Sequence, residues 1–286
     1  MNFKKHIQIL ASAALLSGMA FTACDDVKEG DRYIELPKIE VERGALLVDF
    51  TGQMCVNCPA AHEAIEQLEE QYGRDKLVAV SVHGGSLAMP VEITNFNSGL
   101  VGLMVAEGRA LNEAWSIDTW PRGVINLTGQ SMNFDQWPAA VRAALSQATD
   151  IEIKVETTYA AKEAAAGTEN GRIDIKATVT SHEQHGNLYV QYWITEDGIQ
   201  AMQRFPDKTD NNYIHNNVLR AMVKSMPGEK ITLTPGEASE FEASVDCRYN
   251  DKERWAIDNL YVIAYVYEDG KGVQQVVRHK VVPAAE

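Results

Sequence analysis

Cys55-Val56-Asn57-Cys58 stands between a strand pattern and a helix pattern, and no other feature constrains the fold as tightly. Before it, Ala45-Leu46-Leu47-Val48-Asp49-Phe50 is a short apolar run of the kind that makes a buried strand. After it, Pro59 to Tyr72 predicts a helix, with Ala60, Ala64, Ile65 and Leu68 on one face and acids on the other. Gly73 stands where a helix ends. Leu77-Val78-Ala79-Val80-Ser81-Val82 is a second buried strand. Strand, helix and strand in so short a span make a βαβ unit, which demands parallel pairing. Two residues between cysteines at a helix start bring the sulfurs within disulfide reach. The free backbone N–H groups of that helix end favour a thiolate at Cys55. Cys55 is therefore the attacking sulfur and Cys58, one turn inside, the resolving one.

The rest of the chain falls into two halves. Gly84 and Gly85 open a loop, residues 86–114 are a mixed insertion, and Gly123 to Leu127 is a third strand. Asp135 to Ala148 predicts a closing helix, with Pro138 in its first turn. From residue 151 the periodicity changes to two. Strands are predicted over 151–155, 172–179, 187–193, 229–234, 238–246, 260–268 and 273–282. Turn signals such as Asn170-Gly171 and Asp269-Gly270 separate them. Seven short strands at this spacing suggest an antiparallel sandwich. The expected organisation is a signal peptide over 1–23, a tether over 24–32, an α/β domain over 33–148 and an all-β domain over 149–286.

The N-terminus reads as an address. Lys4 and Lys5 precede an apolar stretch from Ile7 to Ala20, too short for a permanent membrane span. It ends in Phe21-Thr22-Ala23-Cys24, which resembles a bacterial lipoprotein signal with Cys24 as the lipidated residue. Asp25 and Asp26 follow in a charged stretch to Arg32, a solvated tether. An acidic pair there also resembles the surface-export signal of some Gram-negative lipoproteins. These features put the folded chain in the cell envelope, outside the cytoplasm, where disulfides persist. With 26 Lys plus Arg against 40 Asp plus Glu, the net charge is −14. That balance argues against a nucleic-acid partner and against electrostatic docking on anionic lipid.

The stretch Val48 to Pro59 resembles the strand, active site and helix of the thioredoxin family without a gap. The resemblance implies that Asp49 is the buried acid assisting proton transfer at Cys58. Ile117-Asp118-Thr119-Trp120-Pro121 resembles that family's loop with a cis proline, which implies that Pro121 helps dock an extended substrate. Met54 replaces the usual Trp, and Val56-Asn57 the usual Gly-Pro, which leaves the redox direction open. Further on, Tyr213-Ile214-His215-Asn216-Asn217-Val218-Leu219-Arg220 resembles a segment of the outer-membrane-protein-28-related lipoproteins, in which a thioredoxin-like domain precedes a β-rich one. The other reading of this segment is a buried polar network holding a strand crossing.

The expected fold is thus an α/β thioredoxin-like domain followed by an all-β, immunoglobulin-like sandwich. The expected function is thiol–disulfide exchange on extracytoplasmic proteins, with Cys55, Cys58, Asp49 and Pro121 at the site and no dissociable cofactor. Two other functions stay open: a non-catalytic surface-binding or structural lipoprotein, and copper delivery through Cys55, Cys58 and His62, which lies one turn beyond Cys58. His62 and His83 are otherwise read as surface or loop histidines, Cys247 as a small buried residue, and Trp255 as packing.

Overall fold

The two apolar runs that flank the cysteines become β1 (Ala45–Thr51) and β2 (Leu77–His83), and every residue of both is buried. They pair in parallel, from Ala45 against Leu77 to Thr51 against His83. Strands covered on both faces need no polar alternation, which is why these read as continuous apolar runs. The computed structural model describes residues 41–161 and 171–282. The signal, the tether and Cys24 lie outside the described residues.

Helix α1 (Cys58–Tyr72) connects β1 to β2. Its inward side is Cys58, Ala61, Ile65 and Leu68. Ala60, expected on that side, is exposed. Cys58 is fixed inward by its bond to Cys55, so the buried positions follow it at i+3, i+7 and i+10. Helix α2 (Ala106–Ala114) lies in the insertion, and β3 (Arg122–Ile125) runs antiparallel to β1 on its other side. Helix α3 (Trp137–Leu145) closes this half. Under α1 and α3, one face of the strands packs Leu47, Leu77 and Ala79 with Ile65, Leu68, Trp137 and Val141. Each such aliphatic side chain contributes about 1.5–3 kcal/mol on burial.

The second half consists of β4 (Ile151–Ala161), β5 (Gly171–Ser181), β6 (Leu188–Glu196), β7 (Ile199–Arg204), β8 (Thr209–His215), β9 (Val218–Met222), β10 (Glu229–Ile231), β11 (Ala238–Asp246), β12 (Leu260–Glu268) and β13 (Gly272–Lys280). Here the structure differs from a self-contained sandwich. Strands β13, β12, β6 and β9 continue the sheet of β2, β1 and β3, in that order, with β10 on β6. The join is at β9, where Ser81 registers with Val218 and the Ser81 N–H donates to the Asn217 carbonyl at 2.8 Å. The reason is physical: β2 has no polar side to turn outward, and an uncovered edge there would leave backbone groups unpaired. Residues 39–286 form one compact unit.

The layered arrangement survives in part. A three-stranded sheet, β11-β5-β4, packs against the face of β6 and β12. Its interior is Ile151, Ile173, Ile175 and Val179 against Val190, Tyr192, Val262 and Ala264. Cys247 and Trp255 are buried in this same core. The remaining pair, β7 and β8, forms a separate two-stranded hairpin.

Candidate functional site

Cys55 and Cys58 form a disulfide, with their Cα atoms 5.4 Å apart. The pair sits where β1 ends and α1 begins. Gly52 turns the chain out of β1, and the Cys55 N–H donates to its carbonyl at 3.0 Å. A Cβ on Gly52 would stand 2.5 Å from the Leu87 carbonyl oxygen, so only glycine admits the close approach of the 85–87 turn. The Met54 N–H then donates to that same carbonyl at 2.9 Å.

Both cysteines are covered. Cys55 is 2% exposed and Cys58 0%. The β7–β8 hairpin is bonded to the loop that carries them. The Arg204 N–H donates to the Gln53 carbonyl at 2.8 Å, and Gln203 Nε2 donates to the Cys55 carbonyl at 2.9 Å. Gln53 answers from the first half: its Nε2 donates to the carbonyls of Val101 at 2.8 Å and Met202 at 3.4 Å, and its Oε1 accepts from the Leu103 N–H at 3.2 Å. Both glutamines are fully buried. Neither was singled out in the sequence, where an isolated Gln carries no positional signal.

Asp49 lies in the middle of β1, fully buried, and neither of its carboxylate oxygens has a hydrogen-bond partner. Burial pushes its carboxyl up to about 8, and the nearby Ser81 hydroxyl offsets only part of that. His62 stands beside it, with Nε2 3.6 Å from Asp49 Oδ2 and 3.0 Å from Thr51 Oγ1. Its Nδ1 is 3.0 Å from the Tyr213 hydroxyl on β8. Burial brings the His62 imidazole down to about 4. Near neutral pH the contact is therefore mainly a protonated acid facing a neutral imidazole, with the carboxylate taking over above about 8, and not an ion pair.

His83, read from sequence as a surface or loop residue, is 2% exposed at the end of β2. His215 is equally buried, and their rings stack edge-on with centroids 5.4 Å apart. None of their four ring nitrogens has a hydrogen-bond partner. Burial, then the neighbouring His62, brings His215 down to about 3. His83 is lowered by the same burial and by His215. A cavity of about 60 Å³ is lined by His62, Ser81, His83, Tyr213 and His215, with Arg74 and Asn217 further along it.

Pro121 is buried, and the Trp120–Pro121 bond is cis. It lies one residue beyond the Phe50–Arg122 pair, at the end of β1 that leads into the cysteines. The Trp120 ring packs against Gly85, and its Nε1 donates to Asn112 Oδ1 at 3.1 Å.

Cys55, Cys58 and His62, the copper ligands named from sequence, are each engaged otherwise in this structure. The two sulfurs are bonded to each other, and His62 is engaged by Thr51 and Tyr213. Among the described residues no group of three potential ligands is placed to hold a metal ion.

The Tyr213–Arg220 segment joins the two halves at this site. Tyr213 reaches His62, and His215 enters the histidine cluster. Asn217, in the left-handed region at φ 58°, donates through Nδ2 to Glu69 Oε1 at 2.9 Å and accepts from Arg74 Nη2. Arg74 also pairs with Asp197 at 2.9 Å, and Arg278 meets the same carboxylate at 2.7 Å. Arg220, buried, pairs with Glu196 at 3.2 Å. A polar network does hold the strand crossing, and through Tyr213 the same segment reaches His62 on α1.

The family model "Outer membrane protein Omp28" matches residues 108–284. None of the curated proteins matches the chain. Among solved structures, HBP35 of Porphyromonas gingivalis aligns with a TM-score of 0.62 at 13% identity, covering 86% of this chain and 78% of that one. A domain of the outer membrane lipoprotein Omp28 from Porphyromonas gingivalis aligns at 16% identity with a TM-score of 0.32, covering 48% of this chain and 92% of that one.

Proposed function

The chain belongs to the Omp28 family of outer membrane proteins, and from that premise we propose that it is a lipid-anchored, thioredoxin-like thiol–disulfide exchange protein of the cell envelope. Its partners are extracytoplasmic protein thiols and disulfides. Cys55 Sγ attacks or is attacked, a mixed disulfide forms, and Cys58 Sγ resolves it. Asp49 takes the Cys58 proton, and Pro121 presents the partner's extended strand. The N-terminal anchor is a lipid on Cys24.

The observation that carries this reading is Asp49. An isolated buried carboxyl without a hydrogen-bond partner costs stability, and a disulfide that only staples the fold has no use for it. A buried acid held near neutral pH is what proton transfer at a buried thiol requires. Exchange also needs an accessible sulfur. In this reading the β7–β8 hairpin lifts its Gln203 and Arg204 contacts to open the site, so the hairpin gates the reaction.

A second reading has its own observation: both sulfurs are buried. On it the disulfide is structural, and the protein binds or spaces partners at the surface without turnover. The reduction potential of the Cys55–Cys58 pair separates the two. A value between about −270 and −120 mV, the span of exchange proteins, supports turnover; a value below about −300 mV makes the bond a staple. The anchor is tested separately. The mature protein should carry acyl chains by mass, and Cys24→Ala should release it from the membrane.

A further inference from the structure

The proposed exchange leaves Asp49 with a proton and no path to water, because the acid is fully buried. We propose that His62 and Tyr213 form that path, carrying the proton between Asp49 and solvent. The inference rests on the exchange reading and deepens it. His62 is a positioning and relay residue: it acts through Asp49 and touches no reacting sulfur.

The geometry is a chain of three side chains from three elements. His62 presents one ring nitrogen to Asp49 Oδ2 at 3.6 Å and the other to the Tyr213 hydroxyl at 3.0 Å. Burial falls away along it, from Asp49 at 0% exposed through the His62 side chain at 13% to a half-buried Tyr213. Thr51 Oγ1 lies 3.0 Å from Nε2; in the proposed relay its hydroxyl donates there, which leaves the ring hydrogen on Nδ1. The contact to Asp49 is longer than a hydrogen bond, so transfer needs a small ring or carboxyl movement. The cavity lined by His62 and Tyr213 has room for water at the outer end.

The step balances as follows. In the mixed disulfide, Cys55 Sγ is bonded to a sulfur of a partner protein. The relay first carries the resting proton of Asp49 out to water; the Cys58 thiol then gives its proton to the carboxylate so formed, the minor form near pH 7 and the major one above about 8, and its sulfur bonds to Cys55 Sγ. The partner's sulfur leaves as a thiolate and takes a proton from water. The two cysteines lose two electrons, and the partner disulfide gains them. Asp49 then protonates His62 Nε2, Nδ1–H passes to the Tyr213 oxygen, and the tyrosine proton goes to water.

Every group facing the ring favours a neutral imidazole that can both accept and donate. Asp49 on β1 is mainly protonated near neutral pH, and His83 on β2 and His215 on β8 are neutral neighbours. Burial, and then Glu66, Glu63, Asp49 and Asp210, hold the Tyr213 hydroxyl protonated, up at about 12. Tyr213 therefore passes a proton on without ionising.

The test uses the detergent-solubilised full chain, reduced and then mixed with glutathione disulfide across pH 5–9. His62→Gln keeps hydrogen bonding but cannot exchange one ring proton for another. It is expected to slow closure of Cys55–Cys58 by about tenfold near neutral pH, with an unchanged reduction potential, and added imidazole should restore the rate. Tyr213→Phe should slow closure about threefold and abolish the solvent deuterium isotope effect of the wild type. A wild-type pH profile in both variants, or a loss that imidazole does not restore, overturns the relay while exchange stands. A wild-type protein that does not close on glutathione disulfide removes the exchange reading and the relay with it.

Discussion

Two carboxylate–imidazole pairs in this molecule have opposite electrostatics. Asp150, just before β4, faces His185 with 3.0 Å between Nε2 and either carboxylate oxygen. It also accepts from the Ser181 hydroxyl at 2.8 Å and from the Glu183 N–H at 2.8 Å. Burial alone would raise it, but these donors together hold it down at about 2. Asp49 has the same kind of neighbour in His62 but only the nearby Ser81 hydroxyl to set against its burial, and it is pushed up to about 8. An imidazole nearby does not decide the charge of a carboxyl. The number of donors aimed at it does, set against its burial. Asp150 is built to remain an anion and pin a turn. Asp49 is built to change its proton.

The largest expected effect comes from breaking the ionised pair. Asp150→Asn replaces an anion that accepts several charge-assisted hydrogen bonds, each worth about 1.5–3 kcal/mol. Urea denaturation at pH 7 should show a loss of about 2–4 kcal/mol. The folded pKa lies below the unfolded one, so this stability is present above about 4 and fades as pH falls toward about 2. An unchanged midpoint at pH 7 would mean that the turn is held by packing alone.

Asp49→Asn should do the reverse. Its folded pKa lies above the unfolded one, so the wild-type carboxyl contributes most below about 4 and loses that contribution as pH rises to about 8. The variant should therefore match the wild type near pH 5 and exceed it at pH 9, by about 1–3 kcal/mol, the cost of one unsatisfied buried group. The same variant should slow closure of the disulfide. A variant less stable than the wild type at pH 9 would show that Asp49 has a partner in the folded protein.

How much of this was legible in the sequence follows the same division. Continuous apolar runs made β1 and β2 readable, and the cysteine spacing placed the disulfide at the mouth of α1. Strands β4, β5, β6, β11, β12 and β13 all announced themselves by alternation or by apolar density. Strands β7, β8 and β9 did not. Tyr213 and Ile214 face outward in part, Asn211 and Asn212 are exposed, and β9 has an arginine at its centre. These elements are held by partners from the first half, such as Gln53 and Ser81, which no local pattern reveals. The continuity of the sheet through β9 was hidden for the same reason. His83 was misjudged because burial without a hydrogen-bond partner is the exception for an imidazole.

Access to the disulfide gives the smallest effect that still bears on the comparison. Tyr213 of the hairpin meets the His62 that faces Asp49, and Gln203 and Arg204 bond the loop that carries the cysteines, so loosening the hairpin is expected to change both. Gln203→Ala removes the donor to the Cys55 carbonyl and leaves the Arg204–Gln53 backbone bond in place. One such hydrogen bond is worth about 1 kcal/mol, or roughly a fivefold change in the open population. Reduction of the disulfide by dithiothreitol at pH 7 should accelerate by about that factor. If opening also lets water reach β1, the pH at which closure is half-maximal should move down from about 8, as desolvation of Asp49 is relieved. A faster reduction with no movement of that midpoint would place the gate over the sulfurs alone and leave Asp49 dry behind them. No change in either would mean that the hairpin opens by a route in which Gln203 takes no part.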